Sequence, residues 1–120
     1  MWWGINGKNK VPAYKTYLSE VKNTVVPSTI WFYDDVGHNQ EAKREQLMIN
    51  NDSPFTTPKP ERLIQRVLEL STRPNDLILD SFLGSGTTAA VAHKMSRRYI
   101  GIEMGDHAIT HVIPRLKKVV

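Results

Sequence analysis

Cysteine is absent from this 120-residue chain. That excludes disulfides and cysteine-ligated metal, and it fits a reducing cytoplasm. No apolar run approaches the roughly 18 residues that a membrane span needs, so no transmembrane segment and no membrane partner are expected. Met1-Trp2-Trp3-Gly4 leads into polar residues rather than the apolar core of a signal peptide. Repeats and low-complexity tracts are also missing. What is present, 40% hydrophobic and 23% charged residues, is ordinary for one small soluble globular domain. The net charge of +4 is compatible with a polyanionic partner, although a small positive charge also serves solubility alone.

The informative stretch is Asp80-Ser81-Phe82-Leu83-Gly84-Ser85-Gly86-Thr87-Thr88. An apolar run, Leu77-Ile78-Leu79, precedes it, and a helix-like run, Ala89-Ala90-Val91-Ala92, follows. Strand, glycine turn and helix form the layout of a nucleotide-type cofactor site. The glycines allow a tight turn and close ligand approach, and free N–H groups at the helix start can hold a carboxylate or phosphate. Tyr99-Ile100-Gly101-Ile102-Glu103 reads as a second strand ending in an acid able to accept hydrogen bonds from ribose hydroxyls.

Two cofactors fit this layout. Gly84-x-Gly86-x-x-Ala89, with Glu103 downstream, also matches the dinucleotide fingerprint. Charge favours S-adenosylmethionine over NAD. A pyrophosphate would sit near Asp80 with no compensating cation in the loop, whereas S-adenosylmethionine has no phosphate and carries a cationic part that suits an acid. A P-loop is weaker still, because no Gly-Lys-Ser/Thr follows the glycines.

Along the rest of the chain, residues 1–28 mix aromatics (Trp2, Trp3, Tyr14, Tyr17) with lysines (Lys8, Lys10, Lys15, Lys22), and a short helix is expected near 13–21. Residues 29–33 are rich in strand formers, and 34–37 read as a turn. Asn39 is placed to cap a helix running through Leu47 or Met48, and residues 50–54 form a loop. Pro60 suits a first helical position. Leu63, Ile64, Val67, Leu68 and Leu70 then define an amphipathic helix over 60–71. Asp106 can cap a last helix with Ala108, Ile109, Val112, Ile113 and Leu116 on one face, and Pro114 predicts a kink or an early end. The sum is a βαβ unit with flanking helices. Parallel strands need both faces covered and more neighbours than these, so the rest of the sheet is expected from elsewhere.

Together these motifs resemble the S-adenosylmethionine-dependent DNA methyltransferases that act on exocyclic amino groups (adenine N6 or cytosine N4). The order is the β order, and the likeness is greatest to Mod subunits of type III restriction-modification systems. Thr57-Pro58-Lys59-Pro60-Glu61-Arg62-Leu63-Ile64 is similar to the helix motif before the first strand, 80–88 to the cofactor loop, and Ile100-Gly101-Ile102-Glu103 to the ribose-binding strand end. A looser likeness runs through Trp3-Gly4-Ile5-Asn6-Gly7, Lys15-Thr16-Tyr17-Leu18, Ile30-Trp31 and Val36-Gly37-His38-Asn39-Gln40. The resemblance implies an α/β fold, a partial Rossmann-like methyltransferase sheet with a short N-terminal appendage. Residues 1–54 would be the tail of a DNA target-recognition region and 55–120 the S-adenosylmethionine-binding part. Cofactor contacts are implied at Lys59, Pro60, Asp80, Phe82, Gly84, Ser85, Gly86, Thr87, Thr88 and Glu103. Adenine N6 is the favoured target.

One departure matters. The family's Asp-Pro-Pro-Tyr motif, which engages the flipped base, has no counterpart, because the chain contains no Pro-Pro pair. Asp52-Ser53-Pro54-Phe55 is the nearest string and reads better as a plain loop. The expectation is a methyltransferase part without catalytic residues of its own, inactive alone, needing no metal and cytoplasmic. Its partners would be DNA, the missing N-terminal half of a methyltransferase or a restriction subunit, with self-association through exposed edges. The rivals are an NAD-binding oxidoreductase fragment, a non-catalytic DNA-binding remnant and the product of a truncated gene. His107 and His111 stand four apart but have no evident third metal ligand, so surface or core roles are favoured. Ser85 has no base partner and reads as a small loop residue. Trp2 and Trp3 suit base stacking or packing against an upstream segment equally.

Overall fold

The computed structural model describes residues 17–21, 26–49 and 55–119. The readings of Trp2 and Trp3, of the first 16 residues, of the 50–54 loop and of Asp52 lie outside these, as does most of the 13–21 helix. Its described part holds a single 3-10 turn, Leu18–Glu20.

Five helices, two strands and a π-helical turn follow in order among the described residues. They are α1 (Tyr33–Val36), α2 (Asn39–Ile49), α3 (Glu61–Ser71), β1 (Leu77–Asp80), α4 (Thr87–Lys94), β2 (Arg98–Gly101), a π turn (Ala108–Val112) and, after it, α5 (Ile113–Val119). The strands pair in parallel, with Leu77 opposite Arg98 and Asp80 opposite Gly101. This is the expected α/β arrangement, with two strands among the described residues. No helix among them is long and apolar enough to cross a membrane.

Alternation along the strands separates two faces. On one, Ile78 joins Leu68 of α3 and Val91 and Ala92 of α4, with Ile64, Met95 and Tyr99 packed around them. Beside it, Leu83, Ala89 and Val112 form a second cluster. Gly101 makes this possible, since a side chain there would collide with Leu83. The other face is bare: Leu79 and its register neighbour Ile100 are 63% and 51% exposed.

Several expectations are corrected. Residues 29–33 form no strand. Pro27 and a turn precede them, the Trp31 indole N–H donates to Ser28 O (2.8 Å), and the chain goes straight into the short helix α1. β-propensity needs a partner strand to be realised, and among the described residues none pairs with this run. Residues 34–36, read as a turn, are the body of that helix, and Gly37 follows it with φ 83°. Asn39 is not the cap of α2. His38 is, because its Nδ1 accepts the N–H groups of Gln40 (3.2 Å) and Glu41 (3.3 Å). Pro60 stands one position before α3, with extended backbone, rather than inside it. Val67 and Leu70, counted on the apolar face of α3, are largely exposed, while Leu68 is buried.

Pro114 does not end the last helix. It cannot donate to the carbonyl a turn earlier, and the chain widens into the π turn just before it, closed by Ile113 N–H to Ala108 O. The extra residue rotates the face. Of the expected face Val112 is buried, but Ile109 and Ile113 are exposed, and His111 and Arg115 are buried in their place. The backbone oxygen of Asp106, rather than its carboxylate, receives the N–H groups of Ile109 (3.0 Å) and Thr110 (2.8 Å).

Candidate functional site

Parallel pairing continues beyond the strands. Ile102 N–H donates to Asp80 O (2.8 Å) and Leu83 N–H to Ile102 O (3.0 Å). The segment after β2 therefore runs beside the glycine turn and brings Glu103 to it. Glu103 Oε2 accepts the Gly84 N–H at 2.6 Å, and Asp80 Oδ1 accepts the Phe82 N–H at 3.0 Å. Gly86 sits at φ 80°, a left-handed conformation that glycine adopts without strain.

Helix α4 opens without a side-chain cap, and its first internal bond runs from Ala90 N–H to Gly86 O (3.0 Å). The N–H groups of its first turn are the orphan donors that helix starts carry. The two hydroxyls beside them point the other way. Thr87 Oγ1 lies 3.1 Å from Lys59 O, from Ser85 Oγ and from Arg115 Nη1. A carbonyl can only accept and a guanidinium only donate. Thr87 therefore gives its proton to Lys59 O, and Ser85 gives its own to Thr87. Both residues are buried. Ser85 thus directs its hydroxyl proton inward, to Thr87.

Above the turn lies a cavity of about 290 Å³ whose walls include Lys59, Asp80, Phe82, Gly84, Ser85, Thr87 and Thr88. It opens at the C-terminal ends of the two parallel strands, where open α/β sheets place ligands. Seven of the ten residues read from the sequence as cofactor contacts meet here. Glu103 reaches the same loop from the side. Gly86 is buried behind it, against Val112, and Pro60 is buried at the start of α3. Phe82 is 90% exposed at the cavity mouth, an unusual position for a phenylalanine with nothing to cover it.

The sequence reading missed Thr57, Ile64 and Leu83 as walls, and it took Phe55 for a plain loop residue although it lines the cavity too. Phe55 also carries the edges of two imidazoles, with ring centroids 5.1 Å from His107 and 5.5 Å from His111. His107 and His111 are 5.3 Å apart, and both serve this ring cluster. Among the described residues no group of three metal-ligating side chains occurs. A larger hollow, about 460 Å³, lies on a different face of α3 between Trp31 and Arg66, and none of the ten residues read as cofactor contacts lines it.

The donor set discriminates between ligands. The N–H groups of Phe82, Gly84 and Gly86 are already taken, by Asp80, Glu103 and Leu83 O respectively. A pyrophosphate at this turn would meet two carboxylates and few free donors, which disfavours NAD. A ligand with one carboxylate and a cationic centre finds the free N–H groups of α4, the ammonium of Lys59 and the carboxylate of Asp80 at one cavity.

Comparison with known proteins agrees in kind. A family model described as DNA methylase (N6_N4_Mtase) matches residues 5–113. The chain is 44% identical over 93 residues to the probable type III restriction-modification enzyme HindVI Mod subunit of Haemophilus influenzae, covering 78% of this chain and 12% of that protein. It is 45% identical over 120 residues to the type II methyltransferase M.HinfI of Haemophilus influenzae, covering 99% of this chain and 32% of the relative. It is 40% identical over 75 residues to the type II methyltransferase M1.MboII of Moraxella bovis, covering 62% of this chain and 27% of the relative. The chain thus spans between 12% and 32% of the lengths of these relatives.

Proposed function

Since this chain belongs to the DNA methylase family defined by that model, we propose that it is the S-adenosylmethionine-binding part of a Rossmann-like DNA methyltransferase acting on an exocyclic amino group. Adenine N6 is our preferred target, on the likeness to a type III Mod subunit. In this reading residues 55–120 hold the cofactor and residues 1–54 are the tail of the target-recognition region. A cytoplasmic location is part of this proposal, since the substrate would be DNA. The observation that carries the reading is the cavity at the strand ends, with Glu103 and Asp80 both anchored on its glycine turn.

S-adenosylmethionine supplies an electrophilic methyl group on a cationic sulfur. The chain's own residues would bind and orient it. The carboxylate of Glu103, with one oxygen on Gly84 N–H, keeps its other oxygen for ribose hydroxyls. The first-turn N–H groups of α4 and the ammonium of Lys59 suit a carboxylate, and Asp80 suits a cation. Phe82 offers an exposed ring to the flat part of the ligand. Positioning of this kind is the main contribution such a site makes to in-line transfer.

These 120 residues contain no Pro-Pro pair, and we propose that they do not methylate DNA alone. Transfer would require a polypeptide carrying an Asp-Pro-Pro-Tyr-type motif, either the N-terminal half of a methyltransferase or an assembly that includes a restriction subunit. The bare sheet face and open strand edges are where such a partner would dock.

Calorimetric titration of the folded chain with S-adenosylhomocysteine, run beside NAD, tests the cofactor reading. Saturable binding that is lost in Glu103→Ala supports it. Selective NAD binding overturns it. Sequence-specific incorporation of labelled methyl into DNA by the 120-residue chain would overturn the claim of inactivity.

A further inference from the structure

Beneath the glycine turn lie two polar side chains that are 0% exposed, Gln46 of α2 and Arg115 of α5. Both come from outside the strand–turn–helix segment, and both touch it. Arg115 Nη1 donates to Thr87 Oγ1 (3.1 Å), and Gln46 Nε2 reaches Ser85 O (3.4 Å). Arg115 Nη2 is held in turn by Glu61 Oε1 (2.9 Å), with Glu45 Oε2 at 3.8 Å. Glu61 is fixed from its other oxygen by Lys94 (2.6 Å).

The chain of contacts has a direction. Glu61 orients the guanidinium, and the guanidinium donates to the Thr87 hydroxyl. Thr87 then donates to Lys59 O and accepts from Ser85. Two walls of the cavity, the Lys59 edge and the Ser85–Thr87 backbone, are thereby tied through one oxygen atom. An ion pair serving stability alone would be replaceable by apolar side chains of the same volume. This one ends on Ser85 and Thr87, two residues that line the cavity.

We propose that Arg115 and Gln46 are positioning residues for the glycine loop, setting the orientation of the Ser85–Thr87 backbone without touching a ligand. The ligand identity rests on the methyltransferase reading, but the positioning role does not.

The test is hydrogen exchange by mass spectrometry on the full chain, following the peptide over 84–88. Arg115→Lys keeps the charge but cannot reach Glu61 and Thr87 together as a planar fork does. Thr87→Val removes the loop-side partner of Arg115, and Gln46→Met removes the amide that reaches Ser85 O; both leave the Arg115–Glu61 ion pair in place. Leu68→Ala, a core substitution away from the loop, serves as the control, and urea is used to bring every variant to equal global stability. Loop amides exchanging about tenfold faster in the three variants than in the matched control, with wild-type protection restored in Thr87→Ser, is the expected result. Loop exchange no faster than in the control would overturn the proposal. A parallel titration with S-adenosylhomocysteine separates the two claims. A wild-type chain that fails to bind defeats the cofactor reading, while the exchange comparison still decides positioning.

Discussion

The carboxylate of Glu103 holds the backbone N–H of Gly84 at 2.6 Å. The residue at the end of the second strand thus closes the turn after the first. One oxygen has this structural task, and on the proposed reading the other would meet the ligand, so the two tasks are separable by substitution. Glu103→Gln keeps an acceptor for Gly84, and Glu103→Ala does not. Glu103→Ala should lose about 1–2 kcal/mol of stability in urea denaturation, while Glu103→Gln loses less than half of that. Both should weaken S-adenosylhomocysteine binding by about tenfold or more. Equal stability loss in the two variants would contradict the division of labour.

Gly86 is predicted to be intolerant for two independent reasons. Its φ of 80° disfavours any side chain, and a Cβ there would lie 3.2 Å from Val112 Cγ1 and 3.3 Å from Val112 Cα. Gly86→Ala should destabilise by about 1–3 kcal/mol, read from the urea midpoint by circular dichroism. Adding Val112→Ala relieves the crowding at the methyl group but not the dihedral. The double variant should therefore recover part of the crowding cost, with a coupling of about 0.5 kcal/mol or more.

Acid should act on the ion-pair cluster under the loop with opposite signs at its two carboxylates. Burial pushes the Glu61 carboxyl up, but hydrogen bonds from Lys94 and Arg115 outweigh this and hold it below its ordinary value. Burial raises Glu45, more than its bond to the Glu61 N–H lowers it. A lowered carboxyl contributes stability above its unfolded pKa, about 4.3, and gives it up as pH falls through the folded value. A raised one contributes below the unfolded pKa and gives it up as pH rises through the folded value. Glu61→Gln should flatten the acid-side fall of the urea midpoint between about pH 3 and 4.5. Glu45→Gln should improve stability at neutral pH relative to its effect near about pH 4. Parallel pH profiles for wild type and both variants would refute the assignment.

Leu79 and Ile100 face away from the helices and stand opposite each other in the strand register. At tens of micromolar the chain should self-associate through this face, as seen by sedimentation velocity. Leu79→Lys with Ile100→Lys should yield a monomer whose melting temperature changes little, because exposed positions contribute within about 0.5 kcal/mol. A monomeric wild type would remove self-association, and a loss of fold in the variant would mean that this face is covered within one chain.

The sequence alone determined the strand–turn–helix–strand unit. Hydrophobic alternation, the glycine pair and the helix-forming run after it are local signals, and β1, α4 and β2 appear within about a residue or two of where those signals put them. The family resemblance carried by these motifs implied cofactor contacts, of which seven gather at one cavity. Tertiary structure alone decided the rest. The 29–33 run had strand propensity but, among the described residues, no strand to pair with. The π turn before Pro114 left Val112 buried but turned Ile109 and Ile113 outward and His111 and Arg115 inward. Gln46, four residues after the buried Ala42, and Arg115, three after Val112, lie on buried helix faces. Spacing could have flagged them, but a charge at such a position reads locally as a surface residue. Only long-range packing brings Glu61 and Thr87 to Arg115, because a buried charge is tolerable where its partners converge and sequence neighbours carry no record of them.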